Sequence, residues 1–239
     1  MSAITHEYVE VACGDATTMD CYLARPVHDR DAHAGVLLLQ EIWGVNAHIR
    51  DVADRLARLG YTVIAPDVFH RTAPRFAATY DDLSGRDHAA KITADGLRAD
   101  LDGAAGHLRS LLAESVDAPK LGAVGFCMGG RLAYLANAWL DLSCAASFYG
   151  GGIAGAHLDL AAVQRGPLLL FWAGRDRYIS KDDRRAVADA LEAAGKRFTE
   201  VNVGHADHGF FCDQRSSYDA EAAREAWGML TQFLASNLG

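Results

Sequence analysis

Three things are scarce in this chain: basic residues, long apolar runs and cysteines. Lys and Arg number 23 against 31 Asp and Glu, a formal charge of −8. A nucleic-acid surface needs the opposite balance, so no nucleic-acid partner is expected. No apolar run approaches the roughly 20 residues that cross a bilayer. The longest, such as Leu168 to Ala173, have the length of buried strands. Met1 to Glu10 holds no basic stretch leading into an apolar core, so no signal peptide is expected. The five cysteines, Cys13, Cys21, Cys127, Cys144 and Cys212, fall at no metal-ligand or disulfide-framework spacing. Such a sparse, odd set fits a reduced, cytoplasmic protein with no membrane partner. Linkers, repeats and low-complexity segments are also missing, so residues 1–239 read as one domain.

What is present is an ordinary globular composition. Half the residues are apolar and 23% are charged, in a chain long enough for a large core. Glu7 to Ala12 and Thr18 to Ala24 read as two strands around the turn Gly14-Asp15. Pro26 to Ala34 is loop-like. Gly35 to Gln40 is a continuously apolar, buried strand. Asn46 caps a helix whose inner face is Ile49, Val52, Leu56 and Leu59, and Gly60 ends it. Tyr61 to Ala65 is a strand. Residues 69–90 form either a long functional loop or a loop with a short helix. Leu97, Leu101, Leu108, Leu111 and Leu112 mark one long amphipathic helix. Lys120 to Val124, Ala145 to Tyr149, Leu168 to Trp172 and Arg197 to Val203 are further strands. Between and after them come helices over Arg131 to Leu140, Asp183 to Ala194 and Ser217 to Leu234. The last of these should bury Ala222, Ala226, Met229, Leu230 and Phe233. After an initial hairpin, strand and helix alternate. That order predicts an α/β fold: a mostly parallel central sheet, an N-terminal antiparallel hairpin and helices on both faces.

The most informative stretch is Gly125-Phe126-Cys127-Met128-Gly129-Gly130. A strand precedes it and a helix follows, which is the setting of a nucleophile elbow. The central residue of that turn is strained, so its neighbours must be small, and Gly125 and Gly129 meet the requirement. Gly130 lets the helix approach the sheet. Cys127 then stands beside a helix N-terminus, which favours the nucleophilic thiolate. The bland alternative is a glycine-rich turn with a structural cysteine.

A nucleophile needs a base, and the base an orienting acid. On α/β-hydrolase folds they follow the chain order nucleophile, acid, histidine. Cys127, Asp176 and His208 obey it, and each follows a predicted strand, where ligands bind in such sheets. Asp176 could instead be a turn-former bonding its own backbone. His205 competes with His208 as base and could equally be a simple loop residue. No metal is expected at this histidine pair, because no Glu-rich or Cys-rich partner set accompanies it. The backbone N–H groups of Met128 and Ile42 are the natural oxyanion donors.

Together with Gln40-Glu41-Ile42-Trp43-Gly44-Val45-Asn46, Pro66-Asp67, Gly174-Arg175-Asp176 and His208-Gly209-Phe210-Phe211, these motifs resemble the dienelactone hydrolase family, from about residue 8 to 236. The resemblance implies hydrolysis of the enol-lactone 4-carboxymethylenebut-2-en-4-olide to maleylacetate through an acyl-enzyme on Cys127, with no cofactor or metal and a small-molecule partner only. It implies that Glu41 keeps the resting thiol inert and accepts its proton once substrate displaces it, in keeping with the cost of two adjacent negative charges. A solvated loop acid is the alternative for Glu41. For the substrate carboxylate, the family's first Arg matches Arg86, but the Tyr expected four residues later is Ala90. Its second Arg position is Cys212, the nearest candidate being Arg215. Arg71 and Arg75 are further candidates or plain solvated charge. Trp43, Phe126, Phe210 and Phe211 either wall a small apolar pocket or belong to the core. The departures leave a general small-ester or lactone esterase as an alternative, and a non-catalytic or redox-responsive ligand-binding protein as a third reading. A monomer or weak homo-oligomer is expected.

Overall fold

The computed structural model describes residues 3–28, 34–115 and 117–239. Most of the loop expected over 26–34 lies outside them. The chain forms two compact units, one of Met1–Gly122 with Leu238–Gly239 and one of Ala123–Asn237.

In the first unit, β1 (Ile4–Ala12) and β2 (Thr18–Pro26) form an antiparallel hairpin in register from Ile4↔Pro26 to Ala12↔Thr18. β2 also pairs antiparallel with β4 (Tyr61–Pro66), and β4 pairs parallel with β3 (Ala34–Leu39). The order is β1-β2-β4-β3. Every residue of β3 and β4 is buried, as their unbroken apolar runs require, while β1 is mostly exposed. Helix α1 (Ala47–Ala57) packs on β2 and β4. Asn46 Oδ1 caps it by accepting from the Ile49 N–H at 3.2 Å. Ile49, Val52 and Leu56 are buried, but Leu59 lies beyond the helix and is 44% exposed, because the chain turns at Gly60 with φ +97°. Within 69–90 there is one short helix, α2 (Gly85–Ala89). α3 (Ala94–Leu112) buries Leu97, Leu101, Leu108 and Leu112, each worth roughly 2 kcal/mol. It also buries Asp100, which no apolar pattern reveals.

The second unit takes its strands in the order β5-β6-β7-β8: β5 (Leu121–Phe126), β6 (Cys144–Phe148), β7 (Leu168–Ala173) and β8 (Phe198–Val203). β6/β7 and β7/β8 are parallel. α4 (Met128–Trp139) packs on β6. The short helix α5 (Ile153–Ala156) and a 3₁₀ turn, Leu158–Val163, have no period long enough to announce them in sequence. α6 (Lys181–Ala193) starts two residues earlier than expected because Ser180 and Asp183 close a capping box. On α7 (Ala220–Leu238) the buried stripe is Ala222, Ala226, Leu230, Leu234 and Leu238. Ala222, Ala226 and Leu230 are buried as expected, but Met229 is 44% exposed and Phe233 only partly buried, Leu234 and Leu238 completing the face instead. The strands thus form the mixed, mostly parallel sheet with an antiparallel N-terminal hairpin and flanking helices that the sequence predicts. No helix among the described residues is long and apolar enough to cross a membrane.

Candidate active site

Cys127 joins β5 to α4 with φ +54° and ψ −115°. That conformation costs a non-glycine residue about 1–3 kcal/mol and persists only where the surroundings enforce it. Here they do. A Cβ on Gly125 would run into the Gly129 carbonyl, and one on Gly130 would come within 2.5 Å of the Phe148 oxygen and 2.9 Å of the Gly150 Cα. The Cys127 N–H donates to the Phe148 carbonyl at 3.0 Å, and the Cys127 carbonyl accepts from Gly130 and Arg131. The Met128 N–H, at the start of α4, has no acceptor among the described residues, as an oxyanion donor requires. Cys127 is the one partly exposed cysteine; the other four are buried. Burial pushes the Cys144 thiol up to about 12, far from the reactive range.

His208 and Asp176 converge on this turn from two other loops. Asp176 Oδ2 lies 2.7 Å from His208 Nδ1, with the two side chains 1% and 8% exposed. His208 also shares a hydrogen bond with the Cys127 side chain. Burial alone would lower the imidazole pKa. The bonds to Asp176 and Cys127, with their charges, outweigh it and raise His208 to about 9. The remaining oxygen of Asp176 accepts from the N–H groups of Tyr178 at 2.8 Å and Ile179 at 3.2 Å. One carboxylate therefore both forms its own turn and meets His208. His205 is set apart: it is exposed and faces Asp219 Oδ2 at 3.3 Å.

The remaining candidates separate by environment. Glu41 is fully buried rather than a solvated loop acid, and Oε2 accepts from the Tyr80 phenol at 3.2 Å. The Ile42 N–H has no acceptor among the described residues, and its carbonyl seats against Gly85. Trp43 is buried against Tyr80, ring centroids 4.6 Å apart, and donates to the Asp82 carbonyl at 2.7 Å. Phe126 is wholly buried, stacked on Phe211 at 5.0 Å and packed on Phe148 at 4.6 Å, so of its two readings the core one holds. Arg86 is exposed on α2, and its guanidinium makes no ion pair among the described residues. The Arg215 guanidinium lies over Gly209, whose φ of +87° leaves no room there for a side chain. Arg71 and Arg75 are neither free nor merely solvated. Arg71 pairs with Asp15 and Asp100, and Arg75 pairs with Asp20 and covers the Tyr8 ring at 4.3 Å.

Sequence reasoning missed three tyrosines. Tyr80 reaches Glu41, while the rings of Tyr149 and Tyr178 lie 4.9 and 5.1 Å from that of His208. Tyr149 follows β6 in a positive-φ conformation, +39°, a feature no residue type announces.

Residues 19–238 match the family described as the dienelactone hydrolase family. A Synechocystis sp. protein provisionally named carboxymethylenebutenolidase is 35% identical over 234 residues, covering 91% of each chain. The carboxymethylenebutenolidase of Pseudomonas putida is 29% identical over 205 residues, 84% of each. The crystal structure of a Klebsiella pneumoniae protein provisionally named a dienelactone hydrolase superposes with TM-score 0.88 at 30% identity, over 98% of this chain and 99% of that one. A match over nearly the whole chain, joined to a strained cysteine elbow and a buried histidine–aspartate pair, assigns the chain to the dienelactone hydrolase family of α/β-hydrolase-fold hydrolases.

Proposed function

We propose that the protein opens a small, carboxylate-bearing enol-lactone, of the kind that yields maleylacetate, through an acyl-enzyme on Cys127. The observation that carries this reading is the hydrogen-bonded run Cys127–His208–Asp176, with its thiol on a strained elbow. Family resemblance implies that Glu41 takes the thiol proton once substrate displaces it; His208, already protonated near neutral pH beside Asp176, keeps its proton while the sulfur attacks the lactone carbonyl. The Met128 N–H stabilises the resulting oxyanion, with the Ile42 N–H as the second donor that the resemblance implies. Collapse breaks the ring carbon–oxygen bond. The leaving enolate takes the His208 proton and relaxes to a ketone, which makes it a good leaving group. Water, deprotonated by His208, then cleaves the thioester. Asp176 holds the imidazole tautomer and offsets its charge in both halves. The guanidinium of Arg86, which makes no ion pair among the described residues, and that of Arg215, over Gly209, are the groups suited to a substrate carboxylate.

A second reading, a small-ester or lactone esterase of the same family, is favoured by one observation. Where the family carries its second Arg this chain has Cys212, which is fully buried and offers a carboxylate nothing. Turnover of the dienelactone and of neutral p-nitrophenyl esters, by wild type and Cys127→Ala, separates the possibilities. The expected result is a marked preference for the dienelactone, loss of turnover of both in the alanine variant, and an acyl adduct on Cys127 by mass spectrometry. Preference for neutral esters would move the assignment to the second reading. Full activity in Cys127→Ala would remove the thiol mechanism altogether.

A further inference from the structure

The first unit holds another cysteine, histidine and aspartate, which the proposed reaction does not use. Cys13 follows β1, His70 follows β4, and Asp100 lies in α3. His70 Nε2 and Asp100 Oδ1 are 3.0 Å apart, and their side chains are 6% and 1% exposed. The Cys13 thiol reaches the Val11 carbonyl at 3.9 Å and interacts with the side chains of Thr17 and Asp100. One ligand atom from each of the three lies within 4.8 Å of the others.

We propose that Cys13, His70 and Asp100 form a binding site for one zinc ion. The donor set is the first argument. A thiol, an imidazole and a carboxylate are the three side chains zinc takes, and oxygen-seeking calcium or magnesium would reject the sulfur. Place in the fold is the second. Asp100 is buried on the same helix face as Leu97 and Leu101, where an apolar residue would cost nothing. If a hydrogen-bond network were all that was needed, a hydroxyl would serve better than the weakly bonding thiol of Cys13. Charge is the third. Arg71 Nη1 donates to the other Asp100 oxygen at 2.7 Å, and Nη2 to Asp15 Oδ2 at 2.6 Å. Thiolate, Asp100 and Asp15 together carry three negative charges. Zinc and Arg71 carry three positive ones, so the filled site is neutral. Arg71 also fixes the Asp100 carboxylate from outside, as ligand-supporting groups do. Tetrahedral zinc at about 2.0–2.3 Å from its ligands sets them about 3.3–3.8 Å apart, so the His70–Asp100 pair opens slightly from 3.0 Å and no pair closes by more than about 1.5 Å. On binding, the thiol proton goes to solvent. His70 keeps one proton, moved to Nδ1, and gives the metal its Nε2 lone pair. A water completes the four. The filled site would tie the hairpin turn to α3.

Cobalt(II) and zinc(II) are the probes, and Cys127→Ala is the background, so that the accessible thiol cannot bind them. One equivalent of cobalt should give a thiolate-to-cobalt charge-transfer band in the near ultraviolet, discharged by one equivalent of zinc. Adding Cys13→Ser should abolish the band and weaken zinc binding at least 100-fold; adding Asp100→Asn should weaken it at least 10-fold. Absence of the band, or its survival in Cys13→Ser, overturns the proposal. Should Cys13→Ser fail to fold by circular dichroism, Cys127→Ala with Asp100→Asn decides: zinc affinity unchanged by that substitution would end the proposal.

Discussion

Replacing Asp176 by Asn tests the buried ion pair at the centre of the site. Asn keeps the shape and an oxygen for the Tyr178 and Ile179 N–H groups, so the turn survives. What is lost is the charge 2.7 Å from His208 Nδ1. His208 stands at about 9 against an ordinary 6.5. Each pH unit is about 1.4 kcal/mol, so the charged form is favoured in the folded protein by about 3 kcal/mol. Because the folded value lies above the unfolded one, this stabilisation is fully present below about pH 6.5 and is lost as pH rises through about 9. Urea unfolding should show Asp176→Asn destabilised by about 3 kcal/mol at pH 6 and by little at pH 10. With that charge gone, only the Cys127 side chain still opposes burial, so the imidazole should titrate below its wild-type value. Proton NMR, with the His208 signal identified by its loss in His208→Gln, should place the midpoint near 9 in wild type and at least about one pH unit lower in the variant. The alkaline limb of kcat/KM should move down with it, and kcat should fall at least about 100-fold. A destabilisation equal at pH 6 and pH 10, or a wild-type midpoint near 6.5, would refute the reasoning.

Gly130→Ala puts a methyl group 2.5 Å from the Phe148 oxygen and 2.9 Å from the Gly150 Cα, both backbone. It should cost at least about 2 kcal/mol in urea unfolding, and unchanged stability would contradict the close approach of α4 to β6. Arg86→Ala should raise KM for the dienelactone at least about 10-fold and leave a neutral p-nitrophenyl ester unaffected; equal effects on both would remove Arg86 from carboxylate binding. Leu230→Ala should cost about 2–4 kcal/mol and Met229→Glu less than about 0.5, since the first is fully buried and the second 44% exposed. The reverse order would mean that α7 is wrongly oriented.

The parts of this molecule legible in sequence are those whose cause is local. The elbow needs glycines at fixed offsets from Cys127, and Asn46 caps a helix three residues away; both requirements are visible in a single line of residues. Buried strands such as β3 and β4 announce themselves because both faces must be apolar. What stayed hidden depends on partners far along the chain. Arg71 and Arg75 look like solvated loop charge until Asp15, Asp20 and Asp100 are found beside them. Phe126 cannot be told from a pocket wall until Phe148 and Phe211 enclose it. Leu59 and Met229 fit a helical spacing, yet one sits past the end of its helix and the other faces water. Periodicity fixes a face only to within about one residue.

Asp176 shows why weighing a catalytic role against a structural one misleads when the two are set as rivals. A side chain that is to orient an imidazole must itself be held still, or the entropy of fixing it would be lost at each turnover. Its own turn does the holding, through two backbone N–H bonds to one oxygen, which leaves the second aimed at His208. The strained φ of Cys127 answers the same need: a backbone locked by Gly125 and Gly130 presents the sulfur in one direction. In both places a local constraint readable in sequence is the means by which the long-range geometry is set. Turn chemistry that looks merely structural therefore counts as evidence for an active site when it falls just past the ends of parallel strands.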